Sequence, residues 1–233
     1  MIVVLASRQD RVAVDLVSRW ASKGAALCSV EDLSTAGWRY LPGVPNSSTV
    51  VAGGRIVPQP EITGVLTRRA WVLEDELVRI VPADRPYVAA EMSAFLVAWL
   101  SNLDCPVLNP PTPSCLSGPN WRHEQWVQAA ALAGLPVRPS HRRVPALAEI
   151  TPQQEEWAAP AAYVTVVGEQ VLGALNGIQS DQARRLARAA GTNLLGVTFA
   201  GEFFSSATTW PDLSAPGVAD AIAHYFETTG SRA

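Results

Sequence analysis

In the first half of the chain, short β-branched apolar runs alternate with stretches whose apolar residues recur at helical spacing. Ile2 to Ala6 is apolar throughout and predicts a buried strand. Asp10 to Ala21 carries Val12, Val14, Leu16, Val17 and Trp20 at mostly helical spacing. Ala26 to Val30 predicts the next strand. Strand, helix and strand at this length predict a βαβ unit and a parallel sheet. The turn after the first strand reads Ser-Arg-Gln-Asp. It lacks glycine, so the GxGxxG fingerprint of a dinucleotide site is absent.

Gly53-Gly54 separates two β-branched runs. A type I′ hairpin turn needs positive φ at both central residues, and this pair supplies it. Ile62 to Thr67 predicts a strand ending in Arg68 and Arg69. Tyr87 to Leu103 predicts a long helix with Met92, Phe95, Leu96, Trp99, Leu100 and Leu103 on one face and Glu91 near its start. Val107–Leu108 predicts a short strand stopped by prolines. Trp121 to Ala133 predicts a helix closed by Gly134, with Arg122 and His123 in its first turn. Trp121 and Trp126 are expected on different sides of it. Residues 144–160 are rich in Pro, Glu, Gln and Ala and read as a connector. Beyond Ala161, apolar runs flank Gly168-Glu169-Gln170 and predict a hairpin. Asp181 to Ala190 predicts a helix capped by Ser180 and closed by Gly191. "LLGVTFAGEFFSSATTW" predicts two more strands, and Val218 to Phe226 the final helix.

The chain has 233 residues, 48% hydrophobic and 17% charged, ample for a packed core. A net charge of −3 and a pI near 5.6 draw neither nucleic acid nor an anionic membrane. Of the 18 Lys and Arg residues only Lys23 is a lysine, so lysine-dependent phosphate chemistry has one candidate. Cys28, Cys105 and Cys115 show no close metal-ligand spacing, which predicts buried thiols in a reducing cytosol rather than a zinc site or a disulfide framework. The longest apolar stretch, Phe95 to Leu100, is far too short to span a bilayer. The apolar start turns polar by Asp10 and reads as a strand, not a signal peptide. A cytoplasmic protein is expected.

Three stretches resemble ATP-grasp ligases of the RimK and microviridin-maturase types. "ITGVLTRRAW", then "YVAAEMSAFLVAWLSNLDCPVLNPP", is similar to the pre-ATP-grasp domain. There, an arginine-ended strand, a helix with an early glutamate and a strand ending in Asn-Pro follow one another. "NWRHEQWVQAAALAGLPVRPS" resembles the segment entering the nucleotide domain. The stretch from "AYVTVVGEQVLGAL" to "WPDL" resembles the C-terminal core. The resemblance spans roughly the whole chain. It implies an α/β fold in two parts: a pre-ATP-grasp-like domain with a partly parallel sheet over 1–115, then a reduced ATP-grasp-like α+β domain over 116–233.

Such ligases hold ATP with lysines, a glycine-rich loop and Asp, Glu and Asn ligands for Mg²⁺. Phosphoryl transfer depends on that charge. Here the span between Val137 and Ala161 is too short for a nucleotide-gripping subdomain. Arg122 or His123 stands where a lysine is expected, and arginine is not its equivalent. Thr198, Ser206 and Thr208 fall where the resemblance places the metal ligands, with Glu202 and Asp212 as nearby acids. The resemblance and its departures together imply a truncated ligase fold without ligase activity. Such a chain acts as a binding or accessory protein in peptide modification or natural-product biosynthesis, with no metal and no cofactor. Two alternatives stay open. One is an active ATP- and Mg-dependent carboxylate–amine ligase using Arg122, His123 and Glu202. The other is a structural subunit of a complex with an intact ligase.

Arg68 and Arg69 lie at the carboxyl end of a strand, where open α/β sheets bind ligands. Their guanidinium groups suit a carboxylate or phosphate, and a salt bridge to Glu91 is the alternative. Asn109 sits at a neighbouring strand end and is expected in the same crevice. With Glu91, Arg122, His123 and Glu202 these make up the candidate ligand-binding set; no catalytic residue is assigned. No GxSxG surrounds Ser117 or Ser205, and Cys115 near His123 reads as an ordinary loop thiol. Arg138, His141, Arg142 and Arg143 form a local basic cluster. The expected partner is a peptide, a small molecule or a protein, with a homodimer as a further option.

Overall fold

A computed structural model describes residues 1–138, 161–173 and 176–229. The expected connector 144–160 and His141, Arg142 and Arg143 lie outside the described residues. The elements of the first half are β1 (Ile2–Ala6), α1 (Arg11–Arg19), β2 (Ala26–Cys28), α2 (Val30–Leu33), β3 (Thr49–Ala52), β4 (Arg55–Pro58), β5 (Gly64–Arg68), α3 (Arg85–Ser101) and β6 (Val107–Leu108). They are followed by α4 (His123–Leu132), β7 (Ala161–Val167), β8 (Gln170–Leu172), α5 (Gly177–Ala189), β9 (Leu194–Ala200), β10 (Phe203–Thr208) and α6 (Val218–Thr229).

The first sheet runs β2-β1-β5-β6 and is parallel throughout. Both its faces are covered, which explains why β1 has no polar position. Val3 and Leu5 face α3 and the β3–β4 hairpin. Ile2, Val4 and Ala6 face α1 and α6. The C-terminal helix thus returns to the sheet that the N-terminus begins, and residues 1–115 and 116–233 share one core there. Ile222 and Phe226 of α6 are fully buried, worth about 1.5–3 kcal/mol each. Gly53 and Gly54 turn the hairpin with φ of 60° and 69°, the two positive values expected. The hairpin is tied down by buried Asp32, whose Oδ1 accepts from the Gly54 N–H at 2.8 Å.

The second sheet, β10-β9-β7-β8, is antiparallel. Val164, Val166, Leu195, Val197, Phe199 and Phe204 fill the space between it and α4 and α5. The chain is therefore an α/β protein with a parallel sheet and a separate antiparallel one, as expected.

Some boundaries differ from the sequence expectation, for local reasons. α5 starts at Gly177, because Asn176 caps it by accepting from the Gln179 N–H at 2.9 Å; Ser180 lies inside the helix. α4 starts at His123, with Arg122 as its N-cap. Trp121 precedes the cap and folds back onto Trp126, their rings 4.8 Å apart, where opposite sides were expected. That contact joins the residue before the cap to the fourth helical residue, a hydrophobic staple. Among the described residues no helix is long and apolar enough to cross a membrane.

Candidate functional site

The carboxyl ends of β1 and β5 meet side by side, with Ala6 opposite Arg68. A cavity of about 430 Å³ opens there. Arg68 ends β5 and donates from Nε to Asp10 Oδ2 at 2.7 Å. The other oxygen of Asp10 caps α1 by accepting from the Ala13 N–H at 3.1 Å. One carboxylate thus starts the helix and fixes the arginine. Arg69 is 5% exposed and forks onto Glu76 through two bonds of 2.7 and 2.8 Å. Burial raises the affinity of Glu76 for a proton, but the Arg69 bonds and charge, helped by the Leu73 N–H and Ser7, outweigh it and hold its carboxyl below the ordinary range. Neither arginine pairs with Glu91, which is exposed on α3; that expectation is corrected.

The walls of the cavity are apolar. Trp71 and Leu73 stand on one side. Trp210, which follows β10, closes the cavity from the second half of the chain. Its Nε1 donates to Ser117 Oγ at 2.7 Å, and its ring lies 5.5 Å from the Arg68 guanidinium. Ser117 is fully buried and committed to this contact. The floor therefore holds two cations and two carboxylates that neutralise one another.

Asn109 does not line this cavity. It is 1% exposed and joins the two sheets. Its Nδ2 donates to Leu194 O at 2.8 Å and Ser117 O at 3.3 Å. Its Oδ1 accepts from the N–H groups of Asn193 and Leu194 at 3.0 and 2.8 Å. Arg122 and His123 are exposed at the start of α4, and Glu202 is exposed in the β9–β10 turn. Of the candidate set, only Arg68 and Arg69 come together. Cys115 is buried with its sulfur 3.4 Å from Ser117 Oγ, while His123 is exposed. The sequence reading missed Asp10, Glu76, Trp71 and Trp210 as site residues, and weighed Ser117 only as a nucleophile.

The second sheet turns its other face away from α4 and α5. Thr198 lies opposite both Ser206 and Tyr163, and Gly196 opposite Thr208 and Thr165. A shift in register between Phe204 and Ser206 places Ser206 and Thr208 on the same face as Thr198. The three positions marked by the resemblance as metal ligands are thus neighbours, and all three are neutral hydroxyls. A Mg²⁺–phosphate group needs hard anionic oxygens, and none of these three positions carries a carboxylate. Glu202 is in the turn, and Asp212 is drawn below its ordinary value by bonds from the Ser214 hydroxyl and N–H. Tyr163 lies along the face, its Oη 2.3 Å from where a Gly196 Cβ would stand, and accepts from the Asp212 N–H at 3.1 Å. The Thr208 hydroxyl accepts from the Trp210 N–H at 3.1 Å. These residues do not fit the metal–nucleotide group. No cluster of His, Cys, Asp or Glu suited to a metal occurs among the described residues.

Solved structures share this architecture. The macrocyclase MdnC of Microcystis aeruginosa MRC, bound with precursor peptide MdnA, superposes with a TM-score of 0.68 over 98% of this chain and 100% of its own, at 13% identity. The ATP-grasp ligase PsnB, complexed with precursor peptide PsnA2 and AMPPNP, gives 0.67 over 97% and 98%, at 14% identity. A RiPP-associated ATP-grasp ligase of Chryseobacterium gregarium, in complex with ADP and a leader and core peptide, gives 0.66 over 100% and 97%, at 10% identity. The chain therefore has the fold of ATP-grasp ligases. No protein-family model and no curated protein matches it.

Proposed function

We propose that this chain is a truncated ATP-grasp-fold protein that has lost ligase activity and serves as a binding or accessory protein in peptide modification. The observation that carries this reading is the trio of neutral hydroxyls, Thr198, Ser206 and Thr208, gathered on one sheet face where the resemblance places the metal ligands. Without anionic ligands at these positions a Mg²⁺ ion would be poorly held, and acyl-phosphate formation would lose electrostatic stabilisation. The ligand site is the crevice between Trp71 and Trp210. Its arginines are already paired, so it suits a neutral aromatic or apolar side chain of a peptide better than an anion. A peptide ligand is supported by the structural neighbours, whose complexes contain precursor peptides.

Calorimetric titration with Mg-ATP, paired with a thermal-shift series, tests the loss of nucleotide binding. No heat and no shift are expected up to millimolar nucleotide. Micromolar binding would overturn the proposal and return the active-ligase alternative to first place.

A further inference from the structure

At the amino ends of β5 and β6, the end of the parallel sheet away from the crevice, lies a cavity of about 250 Å³. Pro60 and Ile62, in the turn from β4 to β5, form one wall. Leu103 and Cys105, between α3 and β6, form another, and Pro45 adds a further apolar surface. Gln59 lines this space and is 6% exposed. Its backbone is fixed on both sides. The N–H donates to Ser48 O at 2.9 Å, and the carbonyl accepts from the Ile62 N–H at 3.1 Å. Pro58 and Pro60 restrict the chain before and after it. The side-chain amide, by contrast, makes no hydrogen bond among the described residues, and its Oε1 is buried. Buried amides are ordinarily paired, because an unpaired one has given up water for nothing. A glutamine that served packing alone could be exchanged for an apolar side chain of its shape without loss.

We propose that this cavity is a second ligand site, separate from the crevice, and that Gln59 reads there a small neutral molecule with an amide-type edge, an N–H donor beside a carbonyl acceptor. A glutamine amide carries the same two functions, so the two edges pair through complementary bonds. The proline, leucine and isoleucine surfaces give a flat ring its apolar contact, and one polar group fixes its orientation. Asp104, exposed and lining the same cavity, offers a carboxylate to a further N–H. Cys105 is not the reactive group of this site. Burial pushes its thiol up to about 11, so it stays protonated at neutral pH and the site binds rather than attacks.

The test is an NMR titration of the isotope-labelled protein with benzamide and with methyl benzoate, which share a ring and a carbonyl and differ in the N–H donor. Benzamide is expected to shift the amides around Gln59 and Cys105 and to bind about tenfold tighter than methyl benzoate, the worth of one hydrogen bond. It should also slow alkylation of Cys105 by N-ethylmaleimide, a local readout because Cys28 and Cys115 are buried. Gln59→Met, apolar and of similar length, should melt no lower than the parent protein and bind the two probes equally. No binding of benzamide, equal affinities in the parent protein, or a preference that survives in Gln59→Met overturns the proposal. So do shifts confined to other residues or alkylation that benzamide does not slow. A clear fall in melting temperature for Gln59→Met would make the amide a structural group and overturn it as well.

Discussion

Replacing Asn109 by alanine probes the link between the two sheets. The side chain makes four hydrogen bonds to backbone groups across the seam. Its deletion strips partners from two N–H groups and two carbonyls at a site 1% exposed to solvent. A dry, unsatisfied backbone group costs about 1–3 kcal/mol. Relaxation and entering water recover part of that, leaving a net loss of about 3–5 kcal/mol. Total stabilities of folded proteins are only about 5–15 kcal/mol. For a chain of this size each kcal/mol moves Tm by about 2–4 °C, so Asn109→Ala should melt about 10–15 °C lower. Thermal and urea unfolding followed by circular dichroism give the value. Asn102→Ala is the control, since the exposed Asn102 side chain makes one bond among the described residues, to Ala98 O at 2.8 Å, and its loss should cost under about 0.5 kcal/mol. A Tm for Asn109→Ala within about 2 °C of the parent protein would refute the assigned staple.

Glu76→Gln should cost about 2–3 kcal/mol in urea unfolding, because it leaves the buried Arg69 charge without its counter-charge. It should also change the acid response. The carboxyl of Glu76 is held below its ordinary 4.5, so its stabilisation is fully present above that pH and is lost as pH falls through the depressed value. The parent protein should therefore lose stability in that acid window, and Glu76→Gln should lose less there; parallel losses would reject the assignment. Gly64→Ala places a methyl 2.3 Å from the Phe226 ring and should cost about 1–3 kcal/mol by pushing α6 off the first sheet. An unchanged urea midpoint for that variant would contradict the packing of α6 against β5.

The parts of the fold that were legible in the sequence are those specified locally. Ile2 to Ala6 reads as a doubly buried strand because every position is apolar, and Gly53-Gly54 reads as a turn because few other residues tolerate its φ values. The candidate site is mostly long-range and was mostly invisible. Asp10 could be read as a helix cap, but the second use of its carboxylate, on Arg68, depends on β5 lying beside β1. Glu76 reaches Arg69 across a loop with no periodicity, while Glu91, with its helical setting, attracted the pairing that the structure gives to others. Trp210 carried no signal beyond being a tryptophan after a strand. The face of Thr198, Ser206 and Thr208 was found through the resemblance, but only the register shift at Ser205 puts the last two beside the first. An irregularity of one residue cannot be read from alternation, because it reverses alternation where it occurs.

Charge placement joins these observations into one account of the cleft. Gripping a triphosphate takes cations free to meet it and anions to hold its metal. The only lysine, Lys23, follows α1 and precedes β2, so it lies toward the amino edge of the parallel sheet, opposite the crevice, and pairs with Glu227 of α6. Arg68 and Arg69 are inside the crevice but already neutralised by Asp10 and Glu76. Freeing either for phosphate would strand a carboxylate in a partly buried place, an exchange that returns little. The hydroxyls of the second sheet face supply no countercharge to a metal, and Tyr163 lies against that face at Gly196. Lys23, Arg68 and Arg69 are thus remote or paired, and the three sheet positions Thr198, Ser206 and Thr208 are neutral. What the cleft retains is apolar: two indoles from opposite halves of the chain facing a neutral floor. Such a surface gains by burying a side chain rather than by binding charge, which is the physical basis of the proposed preference for a peptide over Mg-ATP.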